Sequence, residues 1–169
     1  MKELELLPPR SKVYKILSLC FCYPDQNFFR YAKGDLLKDL ESSLRKLPYE
    51  KELKKSYDLF ESALVQQLAR FSLEELQVEH TGLFIYSHGG LSCSPYEAIY
   101  REENKRLMGE STMVVKQSYR SFKLRVSRQF ADLPDHIAAE LEFMHFLSLN
   151  EGKFATKGEN QNRDLFRYL

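Results

Sequence analysis

Two carboxylates and an imidazole lie close together in the segment 132–136 of the chain. Asp132 is placed to cap a helix, with Pro134 in its first turn and Asp135 and His136 directly after it. The apolar residues that follow at helical spacing and anchor this helix in a core are Ile137, Leu141, Met144 and Leu147. Polar groups at the positive end of a helix suit an acid–base pair or a site for a charged ligand. On local physics alone, a well-capped helix with no further role is the favoured interpretation.

An enzyme is the weaker of the functions that these residues suggest. Asp135 could orient His136 as an imidazole base, as in a nucleotide-hydrolysing enzyme, but the sequence offers no nucleophile for it. Gly89-Gly90 lacks the strand, the Lys and the Ser/Thr of a P-loop, so it is a weak phosphate signal. The His and Cys residues show none of the spacings of zinc sites, and no metal site is predicted.

Composition indicates one α-helical domain. The 169 residues contain 7 Gly and 6 Pro, nearly all between long stretches of helical period. A formal net charge of +1 gives no general bias toward nucleic acid or anionic membranes. A basic segment, 101–128, precedes an acidic segment, 129–151, and their faces are expected to pair with each other or to be solvated.

The cysteines and the absence of a leader favour a cytosolic protein. Cys20 and Cys22 point in different directions within one apolar helical pattern, which indicates reduced, packed thiols. No signal peptide is visible, and no stretch approaches the length that spans a membrane.

The elements that must position the polar cluster form a predicted single-domain helical bundle over residues 1–169. Ser11 is predicted to cap the first helix, and Ser72 with Glu75 forms a capping box. The irregular segment 87–95 is expected to carry functional residues. The predicted helices cover residues 12–23, 24–33, 35–47, 50–71, 73–86, 96–108, 112–130, 133–150 and 164–169.

A groove for a peptide is the favoured hypothesis. Its carboxylates would attract positive charges on a peptide, and aromatic walls would bury an apolar run beside those charges. The 12 Phe and 10 Tyr could supply the walls, although all of them could equally pack in the core. The predicted carboxylates are Asp132, Asp135, Glu140 and Glu142.

Three segments of the chain have distinctive sequences. Residues 79–84 read Glu-His-Thr-Gly-Leu-Phe, and residues 95–100 read Pro-Tyr-Glu-Ala-Ile-Tyr. Residues 133–144 read Leu-Pro-Asp-His-Ile-Ala-Ala-Glu-Leu-Glu-Phe-Met. In order and spacing, the three segments resemble motifs of the TorD/DmsD/NarJ family of redox-enzyme maturation chaperones, and residues 133–144 form the most specific match. The departures are mild: His80 stands where the family usually has an aromatic residue, and Ala98-Ile99 replaces Ser-Val.

The resemblance implies an all-helical cytoplasmic chaperone (TorD-like) that is not an enzyme. Such proteins bind the twin-arginine signal peptide or the apo-subunit of a molybdenum-containing oxidoreductase, and they hold it from export until its cofactor is inserted. Asp132 is added on physical grounds, because carboxylates pair with a client's arginines. The client-peptide-binding residues predicted in this way are Asp135, His136, Asp132, Pro95, Tyr96, Glu97, Glu79, Leu83 and Phe84.

Further expectations concern cofactors and partners. The resemblance implies no required cofactor, although some members bind guanine nucleotide or the molybdopterin cofactor. No nucleic acid and no stable membrane insertion are expected, and the protein is expected to be a monomer or a homodimer. Relatives usually continue through a further C-terminal helix after the position of Leu169, so a short or truncated chain would expose apolar surface. A third hypothesis is a structural assembly subunit held permanently on one partner by its acidic helix.

Overall fold

The computed structural model describes residues 8–48, 50–86, 93–154 and 163–165, which form a helical bundle. Two short strands, β1 (Leu124–Val126) and β2 (Arg163–Leu165), pair in parallel. The all-α class predicted from the sequence is confirmed. The helices are α1 Pro9–Phe21, α2 Gln26–Gly34, α3 Leu36–Leu44, α4 Glu50–Arg70, α5 Leu73–Phe84, α6 Ala98–Arg101, α7 Glu110–Ser121 and α8 Ile137–Phe154.

Helix α1 lies at the centre of the bundle, packed against α8 and α3. Ile16, at its middle, is fully buried in an apolar cluster that includes residues of α2, α3 and α4. A second cluster joins α7, β1 and α8 around Tyr119 and Ala138, and Phe21 at the end of α1 packs against it. Because α1 contacts both clusters, its C-terminal end is fixed relative to the start of α8.

Polar contacts also join α1 to α8. The Ser18 hydroxyl donates to the Ala138 carbonyl at 2.8 Å, and Lys15 Nζ lies 2.9 Å from a Glu142 oxygen in an ion pair. Ser11 is buried within α1, where Pro8 is the N-cap residue, so the prediction that Ser11 caps this helix is wrong.

The cap predicted for α5 is confirmed. Ser72 Oγ accepts the Glu75 N–H, and the Glu75 carboxylate accepts the Ser72 N–H. Helix α2 begins in a related way, since Asp25 Oδ1 accepts the Phe28 N–H at 2.7 Å. Local capping chemistry therefore fixes both starts, as residue types at these positions indicate.

Two predicted helices are shorter than their sequence pattern indicates. Only Ala98–Arg101 of the segment 96–108 is helical, since Glu102 is extended and its carboxylate accepts the Ser111 N–H at the start of α7. Helix α7 ends at Ser121 because Lys123 adopts a left-handed conformation (φ 57°) and turns the chain into β1. Glycine usually marks such a turn, and a lysine gives no comparable signal.

Other predictions fall at the margins of the described residues. The predicted helix 164–169 is wrong at its start, where β2 runs to Leu165, and 166–169 lie outside the described residues. The segment 87–95 is described only from position 93, so Gly89-Gly90 also lies outside. Among the described helices, none combines the length and the apolarity that crossing a membrane requires.

Two acids of the acidic segment 129–151 form ion pairs with α1, which the expectation of pairing with the basic segment or of solvation did not include. Glu142 forms an ion pair with Lys15, and Glu151 forms one with Arg10. These two ion pairs join α8 to α1.

Candidate functional site

Two loop segments, 93–97 and 132–136, lie side by side at the start of α8. Tyr96 and His136 form an isolated antiparallel bridge. The backbone hydrogen bonds that flank this bridge run from Ile137 N–H to the Pro95 carbonyl at 2.8 Å and from Glu97 N–H to the Asp135 carbonyl at 3.0 Å. The two motifs thus form one structural unit despite their separation along the chain.

Asp135 is fully buried beneath this junction. Its Oδ2 accepts the N–H of Ala98, 3.1 Å away, at the start of α6. Its Oδ1 has no hydrogen-bond partner among the described residues. Because none of its surface is exposed, Asp135 does not reach a ligand in this conformation, and its contacts hold the segment 95–98 in place.

His136 is the residue that caps α8. Its Nδ1 accepts the Ala138 N–H at 3.1 Å, and its carbonyl accepts the Glu140 N–H at 3.2 Å. An Nδ1 that accepts a hydrogen bond carries no proton, so the ring is neutral with its proton on Nε2. Burial lowers the pKa of His136, and the nearby Asp132 carboxylate partly opposes this effect.

The prediction that Asp132 caps α8, with Pro134 in the first turn, is wrong. The Pro134 carbonyl accepts the Tyr119 hydroxyl, 2.9 Å away, and the helix begins only after this contact. The Asp132 carboxylate accepts the Tyr96 hydroxyl instead of a helical N–H. Burial and this hydrogen bond raise the pKa of Tyr96, so the phenol stays a donor and orients Asp132.

The two loop segments form one wall of a cleft of about 490 Å³. Tyr96 and Phe130 lie on this wall, and His136 lies edge-on to both rings, with centroid distances of 5.3 and 5.5 Å. The ring of His136 is therefore packed into the wall, and its neighbours are aromatic.

A second wall comes from the end of α1 and from α5. It contains Phe21, Tyr23, His80 and Phe84. His80 lies edge-on to Tyr23 at 5.4 Å and 4.9 Å from the Phe84 ring, and its Nε2 lies 3.4 Å from the Phe21 carbonyl. His80 thus packs among aromatic rings, at the position where the resemblance notes a departure from the usual aromatic residue.

Two exposed carboxylates, Asp25 and Asp132, line the cleft from different elements. The thiol of Cys22 lies in the same cleft. Burial is the main cause that raises the pKa of Cys22 to about 12. The charge of Lys15 opposes this shift, and the charges of Glu142, Asp132 and Asp25 add to it. Because Asp25 and Asp132 both line the cleft, its electrostatics favour a positively charged ligand group.

The structure brings only part of the predicted residue set to the cleft. The residues that line it are Pro95, Tyr96, Asp132, His136 and Phe84. Asp135 is buried, Glu97 forms an ion pair with Arg101 at 3.0 Å, and Glu79 and Leu83 are exposed outside the cleft lining.

Of the other two carboxylates predicted for the groove, neither lines the cleft. Glu142 is buried in its ion pair with Lys15, so this part of the prediction is wrong. Burial raises the pKa of Glu140 to about 7, and the charges of Glu97 and Asp135 add to this shift. Both acids therefore belong to the packing of α8.

Sequence reasoning missed several residues of the cleft. Asp25 lies near the start of the predicted helix 24–33, and Phe130 is the last residue of the predicted helix 112–130. Nothing local indicates that either residue meets α5 or the loop before α8. Among the described residues, no group of three or more His, Cys, Asp or Glu side chains is placed to hold a metal ion.

The buried histidines are expected to make stability depend on pH. Burial lowers the pKa of His80, His136 and His145 from 6.5. Their contribution to stability is full above about pH 6.5 and is lost as the pH falls through the folded values, because the unfolded chain binds more protons there. Glu140 acts oppositely: its contribution is full below its unfolded value of 4.5 and is lost as the pH rises through about 7. Urea unfolding across this range measures the net slope.

Two variants separate these contributions. His136→Asn retains a capping side chain but does not titrate. The pH dependence of the free energy of unfolding should therefore fall by the equivalent of up to about one bound proton. Glu140→Gln should steepen the slope in the same range, because the opposing group is removed. An unchanged slope in His136→Asn would contradict the assignment to His136.

Comparisons with known proteins agree on one family. A model of the nitrate reductase delta subunit family matches residues 48–169. A perchlorate reductase assembly chaperone protein of Dechloromonas aromatica is 25% identical over 146 residues, which cover 85% of this chain and 62% of that protein. A chlorate reductase assembly chaperone protein of Ideonella dechloratans is 32% identical over 105 residues, which cover 57% of this chain and 52% of that protein.

A solved structure supports the fold. The crystal structure of a redox enzyme maturation protein from Archaeoglobus fulgidus matches with a TM-score of 0.52 at 29% identity, over 87% of this chain and 74% of that chain. The chain spans between about half and two thirds of the length of the two curated relatives.

Proposed function

Because the chain belongs to the nitrate reductase delta subunit family, we propose that it is a maturation chaperone of a molybdenum-containing oxidoreductase. It binds the twin-arginine signal peptide or the apo-subunit of its client in the cytoplasm and assists cofactor insertion and assembly before export. The relatives named as assembly chaperones of perchlorate and chlorate reductases support this class of function.

The observation that carries the proposal is the aromatic cleft with acidic residues in its lining. Arginine guanidinium groups donate to carboxylates and stack on aromatic rings, so Asp132, Tyr96 and Tyr23 suit them chemically. The rings of Phe21, Phe84 and Phe130 suit the apolar run that follows the arginines in such a leader.

The proposed mechanism is reversible binding without a covalent step. Carboxylates attract the charged part of the leader first, because their electrostatic attraction acts over a longer range than apolar contact. The apolar part then buries its surface against the rings, and the leader is withheld from export while bound. Neither step uses a nucleotide or the molybdopterin cofactor.

A nucleotide-hydrolysing enzyme is not supported by the geometry of Asp135 and His136. The Asp135 carboxylate accepts the Ala98 N–H, and His136 Nδ1 accepts the Ala138 N–H. The imidazole is thus oriented by the helix backbone, and the carboxylate does not act on it as in an acid–base dyad.

The proposal is tested by titration calorimetry with leader peptides of molybdenum-containing oxidoreductases. We expect saturable binding to at least one leader. Replacing both of its arginines by glutamine should weaken the affinity by about tenfold or more. Failure of every leader and every apo-subunit to bind would overturn the proposal. Recovery only as a permanent stoichiometric complex would favour the structural assembly subunit instead.

A further inference from the structure

We propose that Asp25 and Asp132 form a pair of carboxylates that each take one of two neighbouring cationic side chains of the client peptide. This inference rests on the proposed function and adds a residue, Asp25, that lies outside the three family-like segments. Asp25 lies at the start of α2 and Asp132 in the loop before α8, and both line the same cleft. Because they come from different elements, the two carboxylates are positioned independently of each other.

Asp25 is held in position from two sides. Its Oδ1 accepts the Phe28 N–H, which fixes the side chain at the first turn of α2. The preceding Pro24 is buried, and its carbonyl accepts the side-chain N–H of Gln77 on α5 at 2.8 Å. The backbone beside Asp25 is therefore tied to the helix that carries His80 and Phe84. Among the described residues, Oδ2 of Asp25 has no hydrogen-bond partner.

Asp132 is also held through one of its oxygens, in this case by Tyr96. Its Oδ1 accepts the Tyr96 hydroxyl, and Oδ2 has no partner among the described residues. Each carboxylate thus uses one oxygen for its own positioning and offers the other to a ligand. A carboxylate arranged in this way accepts a guanidinium hydrogen bond without losing its support.

His80 supplies an independent indication that the cleft receives a hydrogen-bond donor. It is 9% exposed, and its Nδ1 has no hydrogen-bond partner among the described residues. With Nε2 facing the Phe21 carbonyl as a donor, Nδ1 is an acceptor in the neutral ring. His80 lines the cleft together with the two carboxylates, so its unpaired Nδ1 leaves one acceptor in this part of the structure without a donor.

The probe is a synthetic peptide with two adjacent arginines followed by about ten apolar residues, one of them tryptophan. The chain contains no Trp, so the fluorescence of the peptide reports binding without a background from the protein. Two further peptides carry citrulline, a neutral isostere, in place of the first or of the second arginine. Asp25→Asn and Asp132→Asn each remove one charge, and asparagine at position 25 still caps α2.

Each single variant is expected to bind the two-arginine peptide about tenfold more weakly than the wild type. Asp25→Asn should become insensitive to citrulline at one position and stay sensitive at the other, and Asp132→Asn should show the reverse pattern. Asp35→Asn is the matched control, since Asp35 is an exposed carboxylate at another helix start and does not line the cleft. It should bind all three peptides as the wild type does.

Two outcomes would overturn the pairing while leaving the proposed function intact. In one, Asp25→Asn binds like Asp35→Asn and keeps its sensitivity to both citrulline substitutions. In the other, both cleft variants lose sensitivity to the same arginine, which would place one cation between the two carboxylates. A wild type that binds no leader would overturn the proposed function and this assignment together.

Discussion

Replacing Glu142 by alanine is expected to lower the free energy of unfolding by about 3–5 kcal/mol. Glu142 and Lys15 form an ion pair whose side chains are only 10% and 13% exposed, so removing one partner leaves the other charge buried without its counter-charge. The pair joins α8 to α1, and these helices lead to the two walls of the cleft. Urea unfolding followed by circular dichroism measures the loss.

Two controls show whether burial is the cause. Glu151→Ala removes the partner of Arg10 in an exposed pair on the same two helices, and it should cost at most about 1 kcal/mol. The double variant Lys15→Met with Glu142→Leu removes both charges and should recover most of the lost stability. Equal losses for Glu142→Ala and Glu151→Ala would contradict the explanation.

Asp135→Ala is expected to lower the free energy of unfolding by about 1.5–3 kcal/mol and to weaken leader binding. The buried carboxylate accepts the Ala98 N–H, so its loss leaves that N–H without a partner and loosens the segment that carries Tyr96. Tyr96 in turn orients Asp132, which links a buried residue to the acidic lining of the cleft. Unfolding and peptide titration on the same preparation measure both effects.

Asparagine at position 135 distinguishes positioning from direct contact with the client. Its side-chain oxygen can still accept the Ala98 N–H, so Asp135→Asn should keep most of the stability and most of the affinity. If Asp135 instead paired with a client arginine, Asp135→Asn would lose as much affinity as Asp135→Ala. That result would require a conformation in which Asp135 is exposed.

Much of the fold follows from the sequence because the signals for it are local. Helices α2 to α5 begin and end close to their predicted positions, since Asp25 and Ser72 supply caps next to sustained helical periods. Sequence alone failed where a distant residue decides a local conformation. Glu102 caps α7 from the far end of a loop, and the Tyr119 hydroxyl takes the carbonyl of Pro134.

The candidate site shows the same division. By itself, the sequence determined the family, the all-helical class and the importance of the segments 95–100 and 133–144, because these depend on residue types in a fixed order. Only the tertiary structure decided that Asp135 supports the site from a buried position and that His136 caps α8. It also brought Asp25 into the cleft with Asp132. Burial and cross-element hydrogen bonds are properties of packed helices, and no spacing within a single segment encodes them.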